Sequence, residues 1–124
     1  MREVISTDNA PGAAGPYSQA IITGGFIFTS AQIPLEPETG KLATGDIKVQ
    51  TERVLENLKA ILEEAGTDLL NTVKVVVYLA DMNNFAAVNE VYARYFGSKP
   101  PARSAIQAAL PLGAKIAMDL IAVV

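Results

Sequence analysis

The chain has no cysteine, no histidine and no tryptophan among its 124 residues. Without cysteine there is no disulfide and no thiolate nucleophile. Without histidine there is no Ser-His-Asp triad, no general base that titrates near neutral pH unaided, and no route to most zinc sites. Any catalysis must use Asp, Glu, Lys, Arg, Tyr, hydroxyls, backbone groups or water. The clustered carboxylates, Glu63-Glu64 and Glu36 with Glu38, have no converging partner, so they read as solvated surface and no metal is expected. No apolar run is long enough to span a bilayer, and no signal-peptide pattern is present. The expectation is a soluble cytoplasmic protein with no membrane partner. Ten Lys and Arg stand against thirteen Asp and Glu, for a net charge of −3, and the basic residues form no run. That argues against a nucleic-acid partner. No GxGxxG or Walker pattern occurs.

Half of the residues are apolar, which suits one domain over residues 1–124 with a sizeable core. No repeat or linker interrupts it, and the turn-rich stretch 34–45 reads as one surface loop. Residues 17–23 alternate, stop at Gly24-Gly25, and are followed by 26–30, which predicts a β-hairpin. Residues 46–65 are an amphipathic helix with Ile47, Val54, Leu55, Leu58, Ile61 and Leu62 on one stripe, Asp46 as cap and Gly66 as stop. Residues 72–80, rich in valine, are a strand. Residues 83–96 form a second helix, opening near an Asn cap and closing at Gly97, with Phe85, Val88, Tyr92 and Phe96 buried. Residues 102–108 and 114–123 are the last strands.

The order β-β-α-β-α-β-β implies an α+β unit with both helices on one face of a mixed sheet. The strands are apolar on both faces. Val73, Val75 and Val77 point one way, Val76 and Tyr78 the other; Ile116, Met118 and Leu120 oppose Ile121 and Val123. Two helices cover one face, so the other is expected to be hidden by a second copy of the chain, with grooves between copies as pockets.

One charged residue stands out among small neighbours. In Pro100-Pro101-Ala102-Arg103-Ser104-Ala105-Ile106-Gln107, the prolines lead into a strand that places Arg103, Ala105 and Gln107 on one face. A guanidinium beside small residues is a receptor for a carboxylate, gripped bidentately. It is equally what an edge-strand ion pair looks like, and the segment alone leaves both readings open.

Several short strings then combine. Asn9-Ala10-Pro11, Gly15-Pro16-Tyr17-Ser18-Gln19-Ala20, Ser30-Ala31-Gln32-Ile33-Pro34, Val88-Asn89-Glu90-Val91-Tyr92 and Pro101-Ala102-Arg103-Ser104 together resemble the Rid (YjgF) family, in particular its reactive intermediate deaminase A subgroup. The resemblance runs over essentially the whole chain with matching spacing. It implies a chorismate-mutase-like α+β fold, a six-stranded mixed sheet backed by two helices, assembled as a homotrimer with ligand clefts between subunits. The implied activity is hydrolysis of 2-imino acids, such as 2-iminobutanoate and 2-iminopropanoate, to 2-keto acids and ammonia, with no cofactor.

By resemblance, Arg103 falls on the family's carboxylate-binding arginine and Tyr17 on the ring packed over the ligand. Ser30-Ala31 falls on the loop whose N–H holds the carboxylate, where many relatives have Gly at the position of Ala31. Asn89 matches an asparagine near the cleft, and Pro111 a wall residue. Ala105 stands where relatives often carry Cys, a position that acts partly through its backbone carbonyl, so it is grouped with Arg103 as catalytic. Bland alternatives remain for each: a core or interface aromatic for Tyr17, a satisfied turn for Ser30, an interface hydrogen bond for Asn89. The last strand departs further. The family's water-steering Glu is replaced by Ala117, and Asp119, two residues on and on the same face, matches only the second acidic position.

Two functions follow as expectations. One is an imine deaminase weakened at Ala117. The other is a non-catalytic trimeric module that binds 2-keto acids or small carboxylates. An older family label, endoribonuclease, has little support from an acidic chain without histidine.

Overall fold

The computed structural model describes residues 1–124, and its strands form one six-stranded sheet. In chain order the elements are β1 (Glu3–Ile5), β2 (Ala20–Thr23), β3 (Phe26–Thr29), α1 (Ile47–Glu64), β4 (Thr72–Leu79), α2 (Phe85–Phe96), β5 (Ala102–Gln107) and β6 (Ile116–Val123). The strand order is β1-β2-β3-β6-β4-β5. All pairs are antiparallel except β4 with β5, which run parallel and are joined through α2. The hairpin between β2 and β3 turns on Gly24 and Gly25, whose φ values of 60° and 81° require glycine's freedom.

Cross-strand partners share a face, so the register sorts the side chains. Val77 lies opposite Met118, Val75 opposite Leu120 and Leu79 opposite Ile116, and all six are buried under the helices. The helix stripe Val54, Leu55, Leu58, Ile61 and Leu62 meets this face, with Val88, Val91 and Phe96 from α2. On the other face Tyr78 lies opposite Ala117, Val76 opposite Asp119, and Phe28 opposite Ile121. That face is left open, with Phe26, Phe28, Ile106 and Val123 exposed. No helix is long and apolar enough to cross a membrane.

Helix α1 follows its sequence signals. Asp46 accepts a hydrogen bond from the Val49 N–H at 3.1 Å, and Gly66 leaves the helix with φ 84°. Two buried polar residues tie neighbouring segments to it. Asn57 Nδ2 donates to the carbonyl of Leu35 at 3.0 Å, and Gln50 Oε1 accepts from the Lys115 N–H at 3.0 Å.

Four details depart from expectation. Strand β1 has no sequence signal, because three residues carry too little alternation to announce a strand. The strands are shorter than their sequence patterns: regular pairing starts at Ala20 rather than 17 and at Ile116 rather than 114. Helix α2 is preceded by a 3₁₀ turn, Met82–Asn84, whose cap is Asp81, accepting from the Asn83 N–H at 2.9 Å; Asn84 makes no capping bond. Val73 does not share the buried face of Val75 and Val77. A register shift between Thr72 and Lys74 turns it out, and it is exposed.

Candidate functional site

Arg103 projects from β5 on the helix side of the sheet, since it lies opposite the buried Val75. Phe85, Asn89 and Tyr92 sit at spacings of four and three on α2, which puts them on one stripe facing it. The guanidinium carbon lies 5.0 Å from the Phe85 ring centroid and 4.7 Å from that of Tyr92. Arg103 Nη1 donates to Asn89 Oδ1 at 2.8 Å. The space that small strand neighbours would have left is therefore filled by two aromatic rings from α2. A guanidinium this close to two ring centroids is attracted by the ring quadrupoles. No acidic side chain pairs with Arg103; the chain's two ion pairs are Lys48 with Glu90 and Arg53 with Glu36. The other guanidinium N–H groups have no partner in the chain, and Arg103 lines a concavity of about 410 Å³ with Asn89, Pro100 and Pro101. Burial pushes the Tyr92 hydroxyl up to about 12, against the opposing pull of the Arg103 charge.

A second concavity, of about 480 Å³, opens on the other side of the sheet. Tyr17, Ser30 and Ala31 form one wall, Leu110 and Pro111 another, with Tyr78 and Ala117 also lining it. A bulge shapes the first wall. Phe28 pairs with Ile121, and Gln32 next pairs with Met118, so β3 spends one more residue than β6 across this interval. Thr29 Oγ1 accepts the Leu120 N–H at 3.0 Å in place of a backbone carbonyl. Ser30 is tied down: its N–H donates to Gln19 O at 2.9 Å and its hydroxyl to Ser18 O at 2.6 Å. The Ala31 N–H makes no hydrogen bond within the chain and is free to serve an acceptor. Behind the wall, buried Gln19 accepts from Thr7 N–H at 2.7 Å and donates to Pro11 O at 2.8 Å, which holds the loop leading to Tyr17. On the Pro111 side, Leu112 adopts φ 59°, a left-handed conformation that costs a branched side chain energy.

Ala117 presents only a methyl group to the cleft. Its cross-strand neighbour Tyr78 donates its hydroxyl to Asp119 Oδ2 at 2.7 Å. That bond is the first cause, and burial the second, of the rise of the Tyr78 hydroxyl above its ordinary value.

The expected residues thus form two groups. Tyr17, Ser30, Ala31, Pro111 and Ala117 line one cleft, with Asp119 reaching it through Tyr78. Arg103 and Asn89 line the other, and Ala105 shares Arg103's face of the edge strand. The two groups are on opposite faces of the sheet, so within one chain they do not converge. Tyr78, Phe85 and Gln19 are site or support residues that sequence reasoning missed. Phe85 is legible only as core, and Gln19 only as part of a motif. Tyr78 could have been found, because strand parity puts it on the side of Val76, opposite the buried Val75 and Val77.

Comparison with known proteins agrees with this architecture. A family model described as Endoribonuclease L-PSP matches residues 7–124. A RutC family protein of Pyrococcus abyssi is 57% identical over 122 residues, covering 98% of this chain and 96% of the relative. The human 2-iminobutanoate/2-iminopropanoate deaminase is 47% identical over 124 residues, covering 99% and 90%. The crystal structure of a Rid-family protein of unknown function from Yersinia pestis superposes with a TM-score of 0.97 at 46% identity, covering 100% of both chains.

Proposed function

The chain belongs to the endoribonuclease L-PSP family, also called Rid or YjgF, and from that premise we propose that it hydrolyses small 2-imino acids to 2-keto acids and ammonia. The site is built from two copies, in a homotrimer. One copy brings Arg103 and the other the cleft of Tyr17, Ser30, Ala31 and Pro111. The observation that carries this reading is the separation itself. A receptor with free donors and a cleft with a free Ala31 N–H lie on opposite faces of one sheet whose open face is apolar. Packing that face against a neighbour hides Phe28 and Ile106 and lets the two half-sites meet.

The chemistry asks little of the protein. A protonated imine is already electrophilic at carbon. Arg103, stacked between Phe85 and Tyr92, holds the carboxylate in a fixed plane. The N–H of Ala31 adds a second donor to the carboxylate, and the backbone carbonyl of Ala105 accepts from the imine N–H. Positioning water against a held C=N bond supplies most of the rate. Neither step calls for a metal or cofactor.

A second reading is favoured by one residue. Ala117 offers no side-chain acceptor, and a cleft that binds without reacting would make the protein a sensor of 2-keto acids or small carboxylates. A ribonuclease reading has no such support in a chain of net charge −3 without histidine.

The test is an assay with freshly generated 2-iminobutanoate, paired with calorimetric titration of 2-oxobutanoate. Wild type is expected to release keto acid above the buffer rate and to bind the product weakly. Arg103→Ala should lose tenfold or more in binding, since a charge-assisted pair contributes roughly 1.5–3 kcal/mol. Equal binding by wild type and Arg103→Ala would reject the receptor. Binding without turnover would favour the sensor.

A further inference from the structure

Addition of water to an imine carbon releases a proton from that water, and some group must take it. No acidic side chain lines the cleft, and the chain has no histidine. The cleft's three hydroxyls are differently placed. Ser30 Oγ donates to Ser18 O at 2.6 Å. Tyr17 Oη accepts from Ala14 N–H at 3.4 Å and donates to no carboxylate. Tyr78 alone donates to a carboxylate, Asp119 Oδ2, at 2.7 Å. Because its proton goes to Asp119, its oxygen keeps a lone pair able to accept from a further donor. The pair forms diagonally across β4 and β6. Tyr78 stands opposite Ala117, whose side chain is a single methyl, and Asp119 stands opposite Val76.

We propose that Tyr78 and Asp119 act as one unit that receives the proton of the attacking water, with Tyr78 as the catalytic residue and Asp119 as its positioning and proton-accepting partner. This rests on the imine-hydrolysis reading and deepens it. A water hydrogen-bonded to Tyr78 Oη adds through its oxygen to the imine carbon. A C–O bond forms, and the C=N π pair becomes the nitrogen lone pair. The water's proton moves to Tyr78 Oη as the proton of Tyr78 moves to Asp119 Oδ2. In the second half the Tyr78 proton passes to the nitrogen as the Asp119 proton returns to Tyr78 Oη. The C–N bond breaks with its pair to give ammonia, a carbinol oxygen lone pair forms C=O, and the hydroxyl proton passes to the departing ammonia, which leaves as ammonium beside the keto acid. No oxidant, reductant or metal is required. The relay also explains how a cleft with alanine at 117 can still be reactive.

The experiment measures kcat and KM for 2-iminobutanoate, with 2-oxobutanoate affinity by calorimetry, on the full chain. Tyr78→Phe removes the oxygen and keeps the ring; Asp119→Asn keeps the shape and removes the charge. Each is expected to lower kcat by about 10²-fold, the lower end for a general acid/base. Keto-acid affinity should stay within about twofold, since neither residue touches the carboxylate receptor. The double variant should be no slower than either single one, as for groups that act together. Ala117→Glu placed in Tyr78→Phe should recover rate, because it puts an acceptor directly in the cleft. If Asp119→Asn misfolds, Tyr78→Phe and its rescue carry the test alone. Wild-type kcat in Tyr78→Phe overturns the relay while leaving imine hydrolysis standing. Parallel loss of kcat and keto-acid affinity also overturns it, because it marks a structural role. Wild type no faster than buffer overturns hydrolysis and relay together.

Discussion

At the scale of single residues, Tyr92 is where structure and site pull against each other. Its ring lies over Arg103 and packs on Phe96 with centroids 4.5 Å apart, yet its buried hydroxyl has no hydrogen-bond partner in the chain. An unpaired buried hydroxyl carries a desolvation penalty of about 1–3 kcal/mol. Tyr92→Phe keeps the ring and removes the penalty, so it should raise unfolding free energy by about 1 kcal/mol in denaturant titrations. The pH dependence gives a sharper check. The folded protein holds the Tyr92 proton up to about 12, against 10.0 in the ordinary state, so between those values it binds more protons than the unfolded chain. The contribution is complete below pH 10 and is lost as pH rises towards 12. Wild type should therefore lose stability across that window more steeply than Tyr92→Phe. Parallel curves for the two proteins would remove Tyr92 as the cause. The same residue shows what sequence can tell. The stripe Phe85, Asn89, Tyr92 is readable from spacing, and Arg103's strand position from alternation. That they meet follows from the parallel β4–β5 pairing across α2, which no local pattern encodes.

At the scale of elements, the question is what holds the walls of the cleft. Ser30 to Gln32 continue into the loop 34–45, which has one isolated bridge of its own, Leu35 with Leu42. Its anchor is Asn57, fully buried on α1, which accepts from Arg53 Nε at 3.1 Å and donates to Leu35 O at 3.0 Å. Asn57→Ala leaves the Leu35 carbonyl and the Arg53 guanidinium without that partner. It should cost about 1–3 kcal/mol of stability. It should also speed amide exchange at Lys41 and Ala43, whose N–H groups bond within the loop to Thr39 Oγ1 and Pro34 O, more than at Val75 and Val77 in the sheet. Uniform acceleration at all four would mean that Asn57 supports the fold globally and not the loop. Elements with a strong period are legible in the sequence: α1 by its stripe and caps, β4 by its valines, the hairpin by Gly24-Gly25. The bulge at Thr29–Ala31 is not. A one-residue mismatch between strands is a property of the pair, and the Thr29 hydroxyl that completes it resembles any strand threonine.

At the scale of the whole molecule, the apolar open face and the two clefts on opposite faces of the sheet point to the proposed arrangement. The two-faced apolar pattern is readable from strand alternation alone, and with it the expectation that a second copy covers the open face. The division of the site is not, because it depends on which face Arg103 takes relative to Ala117. If the site is shared, half-sites from different chains should complement. Arg103→Ala lacks the receptor but keeps the cleft. Ala31→Trp fills the cleft at an exposed position and keeps the receptor. Neither pure variant should bind 2-oxobutanoate. Mixed one to one and reassembled, they should make trimers by sedimentation equilibrium. In a cyclic trimer each site takes its arginine from one copy and its cleft from the next. Chance pairing then joins an intact arginine to an intact cleft in about a quarter of the sites. Calorimetry should return about that fraction of the wild-type binding capacity, at wild-type affinity. A site contained in one chain would give none at any mixing ratio. Because the readout is binding, the outcome decides how the cleft is built whether the reaction proves fast, slow or absent.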